Sequence, residues 1–309
     1  MSMNILHCLE TNGSILMEGA LGERLKREYS LCPDPMLAWA TLVYSEAGRA
    51  ALSELWGQYI GIARQFHLPF MATTPTRRAN RQRIQAASCS KPIIRDNVEF
   101  LREIQRKSGI EMYVGGLMGC RGDAYTGEGN LQADQAREFH RWQAGEFAQS
   151  GVDFVLAGIM PTLPEAMGMA QALSDTGIPY IISFTVERSG RLIDGTAIHD
   201  AISQIDQYAA AKPLCFMANC VHPTILYEAL AQPCNDTDAV KARFLGVQGN
   251  TSPLPYAELD GAVDLKCSGP EDFAKETLRL KQDMGLKIIG GCCGTDSRHM
   301  EAIARGMVK

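Results

Sequence analysis

The chain has 309 residues, of which 46% are hydrophobic and 21% charged, a globular composition with ample length to bury a large core. A net charge of −5 argues against a nucleic-acid partner, which usually needs a clustered basic face, and no run approaches the ~18 apolar residues of a membrane span. Met1 to Met17 carries Glu10 and shows neither a basic start nor a long apolar stretch, so the expectation is a soluble, cytoplasmic protein with no membrane partner.

In chain order, short β-rich apolar runs recur at Ser14–Met17, Pro69–Thr73, Glu111–Gly116, Val152–Ala157, Pro179–Thr185, Pro213–Ala218, Arg243–Gln248 and Lys287–Gly291. Between them lie stretches of helical periodicity, among them Ser45–His67, Gln132–Ser150, Leu163–Thr176, Ala197–Ala211, Pro270–Met284 and Asp296–Gly306. Gly151 and Gly177 each end a helix shortly before a strand, Ser45 suits a helix start, and Ser90 with Pro92 marks a break between two helices. Continuous apolar strands alternating with amphipathic helices indicate a parallel sheet covered by helices. Eight such units favour an α/β fold of the closed (β/α)8 TIM-barrel kind, and with no low-complexity linker the expectation is one domain over residues 1–309.

Two segments between the strands stand out. Arg77, Arg78, Arg81 and Arg83 form the densest basic cluster, whose spacing fits a solvated helix start, with a local anion site as the alternative. The long segment between the third and fourth strands, which begins with Gly119 to Gly127, reads as a mobile loop over the barrel mouth.

In such barrels chemistry gathers at the C-terminal ends of the strands. The reactive residues there are Glu18 after the first strand, Thr73 and Thr74 after the second, Asn219 and Cys220 after the sixth, Asn250 after the seventh, and Cys292 and Cys293 after the eighth. Of the ten cysteines, Cys8, Cys32, Cys89, Cys215, Cys234 and Cys267 sit in ordinary apolar or loop contexts. Cys292 and Cys293 are different. Adjacent residues of an extended strand face opposite ways, so for both to hold one ion the chain must bend there, and Gly290, Gly291 and Gly294 supply the freedom. The sixth and eighth strands feed the same mouth, so Cys220 can join the pair. Three thiolates suit zinc, at ~2.3 Å from each sulfur, and three protein ligands leave a fourth position open for a substrate thiol or water. Coordination would deprotonate such a thiol, which otherwise is mostly protonated at neutral pH. A redox disulfide between Cys292 and Cys293, or a pair that is simply buried, is the alternative, and His222 and His299 compete as ligands.

Gly290-Gly291-Cys292-Cys293-Gly294-Thr295 resembles the zinc signature of the homocysteine S-methyltransferase family, and Asn219-Cys220 resembles that family's other zinc cysteine. Further likeness lies in Glu18-Gly19-Ala20-Leu21-Gly22, in Ala72-Thr73-Thr74 with Arg78-Ala79-Asn80, in Gly151 to Ala157 followed by Met160 to Ala166, and in Ser183-Phe184-Thr185. The resemblance covers about residues 14 to 305. It implies a (β/α)8 barrel, a Zn2+ cofactor held by Cys220, Cys292 and Cys293, and transfer of a methyl group to homocysteine to give methionine. A sulfonium donor, S-methylmethionine or S-adenosylmethionine, would need no cofactor beyond zinc. The partners are then a small-molecule thiol acceptor and a methyl donor, with a homo-oligomer left open. Glu18 and the Gly19 backbone are the expected binders of the acceptor's polar end. Thr73, Thr74 and Asn219 are further substrate-binding candidates that read equally well as loop caps, while Tyr125 and Trp39 either line a cationic donor pocket or serve as structural aromatics.

One departure matters. The family usually has a Glu after the fourth strand that pairs with the amino group of homocysteine, and here the chain has Gly158-Ile159. Glu18, longer by a methylene than the family's usual Asp, is placed to take over that contact. Gly119-Cys120 also stands where Gly-Pro is usual. The alternatives are a methyltransferase for another thiol or selenol, and a zinc-binding relative without turnover.

Overall fold

The computed structural model describes residues 4–254 and 267–308. Eight parallel strands close into one barrel in sequence order: β1 (Ile15–Met17), β2 (Phe70–Thr73), β3 (Met112–Gly119), β4 (Phe154–Met160), β5 (Tyr180–Phe184), β6 (Cys215–Val221), β7 (Phe244–Gly249) and β8 (Ile288–Gly291). The barrel closes where Ile15 and Leu16 pair with Ile288 and Ile289. All eight strands coincide with runs expected from the sequence, and β3 and β4 each run three residues further toward the mouth, to Gly119 and Met160.

The apolar strands lack an obvious alternation because both of their faces are buried. Ile15, Met17, Met71, Phe154, Leu156, Ile181, Cys215, Met217 and Ile288 fill the barrel interior. Leu16, Phe70, Ala72, Val155, Ala157, Ile182, Phe216 and Ala218 belong to the outer layer beneath the helices. Ile5, Cys8 and Leu9 of the helix Ile5–Thr11 join the interior set, so this helix packs against the barrel core.

The outer helices occupy the expected places, at Glu46–Gln65, Ala133–Ser150, Leu163–Ser174, Ile198–Tyr208, Pro270–Met284 and Ser297–Met307. The Ser45 hydroxyl accepts from the Gly48 amide and so caps the first of them. Gly151 closes the helix before β4 in the left-handed conformation at φ 68°. Among the described residues no helix is long and apolar enough to cross a membrane.

Candidate metal centre and substrate pocket

Asn219 and Cys220 lie inside β6 rather than beyond it. Cys215 and Met217 point into the barrel, so strict alternation would send Asn219 inward and Cys220 outward. The chain breaks that pattern. Cys220 has φ 57°, in the left-handed region, and the pairing of β6 with β7 shifts between Asn219 and Val221. A cysteine held there costs roughly 1–3 kcal/mol of backbone strain, and such strain is characteristic of functional sites. The result is that Cys220 meets the vicinal pair: its sulfur is 3.5 Å from that of Cys293, which is 4.0 Å from that of Cys292, and all three lie within 4.8 Å of one another.

The vicinal pair sits in the turn that follows β8. Of the glycines around it only Gly294, at φ 82°, takes the left-handed conformation, and a β-carbon there would also fall 1.9 Å from the Thr251 hydroxyl. Gly291 serves a different purpose from the expected one. It leaves room for Thr295, whose hydroxyl would stand 2.3 Å from a β-carbon at 291. That hydroxyl accepts from the Ala20 amide and donates to the Cys292 carbonyl at 2.7 Å, tying the turn to the end of β1. Glu23 accepts from the Gly294 amide on the other side.

The donor set fits a tetrahedral zinc ion. Ligands at ~2.3 Å in a tetrahedron stand roughly 3.8 Å apart, a value that the two observed sulfur separations bracket, whereas a disulfide needs ~2.05 Å. The electrostatics agree. Hydrogen bonding from Cys292 and then Cys293 holds the Cys220 thiol well below its ordinary value, while the bond to Cys220 pushes Cys292 and Cys293 well above theirs. Without a cation the three sulfurs favour one thiolate, and a bound dication would compensate all three. The Asn250 amide donates to the Cys220 sulfur at 3.7 Å, and Tyr125 also hydrogen-bonds it.

Neither histidine competes. His222 caps the helix Pro223–Leu230 through Nδ1 and faces the Ser268 hydroxyl through Nε2 at 3.2 Å, and burial pushes its pKa down to about 4. His299 forms a capping box with Asp296.

Cys292 and Cys293 line a cavity of about 420 Å³ together with Glu18, Gly19, Trp39, Thr73, Thr74, Tyr125 and Asn219, so most of the residues singled out in the sequence converge on one space, while Cys220 lines a neighbouring cavity that also touches Tyr125. Glu18 is 3% exposed. Its Oε2 accepts from the Trp56 indole at 2.6 Å, and its Oε1 accepts from the Thr73 amide at 2.9 Å and hydroxyl at 2.6 Å. Thr73 is therefore a partner of Glu18, and the Thr74 hydroxyl is shared with Thr76 and the Leu117 amide. Trp56 was missed because in the sequence it reads only as one apolar position of a helix.

Burial, opposed by these donors, raises the Glu18 pKa from 4.5 to about 7. A raised carboxyl pKa means that the folded state keeps a proton the unfolded chain has shed. The protonated form thus favours folding at low pH, and stability falls as pH rises from about 4.5 through 7. The integrated effect is about 3 kcal/mol. Urea unfolding should show the gap between Glu18→Gln and the unaltered protein shifting in favour of the variant by that order between pH 5 and pH 8. A gap independent of pH would refute the assignment.

The segment expected to be a mobile loop is tied down. The Asp123 carboxylate accepts from the Tyr125 and Thr126 amides, both at 2.8 Å, and the Thr185 hydroxyl donates to the Ala124 carbonyl at 2.9 Å. Its two ends are held by Glu165, whose oxygens accept from the Arg121 amide at 2.6 Å and the Leu131 amide at 3.1 Å. Tyr125 is thereby fixed over Cys220.

Three convergent thiols at the barrel mouth, beside an open cavity, are a donor set that could hold a metal next to a small substrate. The family model described as homocysteine S-methyltransferase matches residues 15–307, and the chain belongs to that family. Homocysteine S-methyltransferase 2 of Arabidopsis thaliana is 26% identical over 191 residues, which are 60% of this chain and 55% of that relative, so the match spans about half of its length. Selenocysteine Se-methyltransferase of Brassica oleracea var. italica is 22% identical over 321 residues, covering 97% and 90% of the two chains. The fold is shared with the metallated form of the homocysteine methyltransferase MmuM from Escherichia coli, at a TM-score of 0.74 and 20% identity over 96% of this chain and 97% of that one.

Proposed function

We propose that this chain is a zinc-dependent S-methyltransferase that moves a methyl group from an onium donor, S-methylmethionine or S-adenosylmethionine, to a thiol, with homocysteine giving methionine. The observation that carries the reading is the sulfur triad, with all members within 4.8 Å, two of which line the cavity that holds Glu18. The metallated form of MmuM, a protein of the same fold, supports the metal.

Cys220, Cys292 and Cys293 would hold the ion. Zinc bound there would supply a Lewis acid that lowers the pKa of a substrate thiol. The protein's own groups do the rest. The Asn250 amide and Tyr125 hydrogen-bond the Cys220 sulfur and orient it. Glu18, once ionised, offers a carboxylate to the acceptor's ammonium, and that pairing pulls its raised pKa back down. The Trp39 and Tyr125 rings border the same cavity and offer π-faces to a cationic donor. Alignment of donor and acceptor within it converts a bimolecular displacement into an effectively intramolecular one.

A second reading, a different thiol or a selenol as acceptor, is favoured by Gly158 and by the name of the Brassica relative. The deciding experiment supplies zinc-loaded protein with homocysteine and S-methylmethionine and follows methionine, with selenocysteine in parallel. No methionine from protein that retains zinc would move the assignment to another acceptor. The nearest atom to a β-carbon at 158 is the flexible end of Leu117, at 2.9 Å, closer than ordinary contact, so a larger side chain is admitted once the tip of Leu117 shifts aside. Gly158→Glu should lower KM for homocysteine about tenfold, the scale of one hydrogen bond to a charged group, and an unchanged KM would remove Gly158 as a determinant of the acceptor.

A further inference from the structure

We propose that Arg77 and Arg78 form an anion subsite at the cavity mouth that receives the carboxylate of one of the two substrates, an inference that rests on the methyl-transfer reading above. Both arginines line the cavity that holds Glu18, Cys292 and Cys293. They lie between β2 and the short helix Arg81–Ala86, which Asn80 caps through the Arg83 amide.

Several observations separate this pair from ordinary surface arginines. Among the described residues neither guanidinium has a carboxylate within ion-pair distance. By contrast Arg24, Arg49, Arg102, Arg137 and Arg243 each pair with an acid. The nearby Arg83 is engaged, donating to the Met36 carbonyl. Packing also holds Arg77 in place. A β-carbon at 119 would fall 2.5 Å from Arg77 Cγ, so Gly119 is what lets the aliphatic stem of Arg77 lie on the end of β3. Partial burial, with the like charges of Arg83 and Arg77, pushes the Arg78 pKa down, against an opposing pull from Cys120 and Asp123.

A guanidinium takes a carboxylate in a two-pronged, charge-assisted contact that an ammonium cannot reproduce. The cavity therefore presents an acid at Glu18 and a cationic pair at its mouth, the pattern that suits a zwitterionic α-amino acid. The acceptor homocysteine and the donor S-methylmethionine both carry that group, and the two sources are separable.

The test is steady-state kinetics on zinc-loaded protein with two substrate series. The acceptor series pairs homocysteine with 3-aminopropane-1-thiol, which lacks only the carboxylate. The donor series pairs S-methylmethionine with (3-aminopropyl)dimethylsulfonium. In one series Arg77→Ala and Arg78→Ala should collapse the preference for the carboxylate-bearing member by roughly 10- to 100-fold, through KM rather than kcat. Arg77→Lys should restore part of it. The series that responds identifies the substrate held. Preferences unchanged in both series overturn the proposal. If no acceptor turns over while zinc stays bound, the methyl-transfer reading fails. Calorimetric binding of the same four compounds then decides the subsite alone, and equal affinity with and without the carboxylate, or no change in the variants, overturns it.

Discussion

Replacing Cys220 by serine, or Cys292 by alanine, is expected to abolish stoichiometric zinc binding and methyl transfer together. Each substitution removes one of the three sulfurs that stand within 4.8 Å of one another, and no histidine is poised to replace it because His222 and His299 are committed to helix caps. The loss should also appear as stability. An ion that binds only the folded state stabilises it by about 4 kcal/mol at a thousandfold excess over its Kd, so the unaltered protein should melt at a higher temperature as zinc is added and the variants should not. Metal-free melting of Cys220→Ser should stay close to that of the metal-free parent, since the hydroxyl occupies nearly the same space and inherits the same φ of 57°. Retention of one zinc per chain in both variants would refute the three-sulfur centre and, with it, the proposed chemistry.

The barrel was legible because its physics is repetitive. Each strand is an apolar run buried on both faces and each helix shows a 3.6-residue stripe, so position and type follow from composition alone. The ends of the strands were less legible. β3 and β4 extend through Gly119 and through Gly158-Ile159, and whether a glycine continues a ladder depends on the neighbour that fills the space beside it. Ile159 shows the limit: it sits at φ 59° within β4, a conformation the sequence gives no reason to expect of a β-branched residue.

The meeting of the three sulfurs was legible in the sequence, and the way the chain brings them together was not. The expectation that glycines bend the chain around Cys292 and Cys293 holds at Gly294, while Gly291 acts by making room for Thr295. The device that delivers Cys220, a left-handed residue at a register shift, left no mark in the sequence, because strain of this kind is imposed by the surrounding fold. Glu18 was visible as a reactive residue at a strand end. Its raised pKa was not, since that depends on burial against Trp56 and Thr73, which lie 38 and 55 residues away along the chain. The loop over the mouth looked mobile because its residues are glycine-rich and polar. What pins it is a carboxylate supplied by another helix.

That carboxylate carries the second large effect. Glu165 and His140 are wholly buried side chains whose Oε1 and Nε2 stand 2.9 Å apart. Glu165 lies in the first turn of the helix Leu163–Ser174, where the free amides of the helix favour an acid. Its oxygens collect the Arg121 and Leu131 amides from the two ends of the segment that carries Tyr125. Truncation in Glu165→Ala strands those amides and the histidine nitrogen away from water and leaves a cavity, so a destabilisation of about 3–5 kcal/mol is expected. Glu165→Gln keeps the volume but turns an acceptor into a donor facing another donor, at a cost of about 1.5–3 kcal/mol, and it should fold. In this milder variant zinc content should remain at one per chain, because no sulfur has moved. Turnover should fall at least about tenfold, the scale of one misplaced group. Limited proteolysis should begin to cut between residues 121 and 131 while the rest of the barrel resists. Zinc, kcat and protease resistance all unchanged in Glu165→Gln would show that the segment holds its place without this anchor. Loss of zinc together with turnover would show instead that Glu165 supports the metal centre itself.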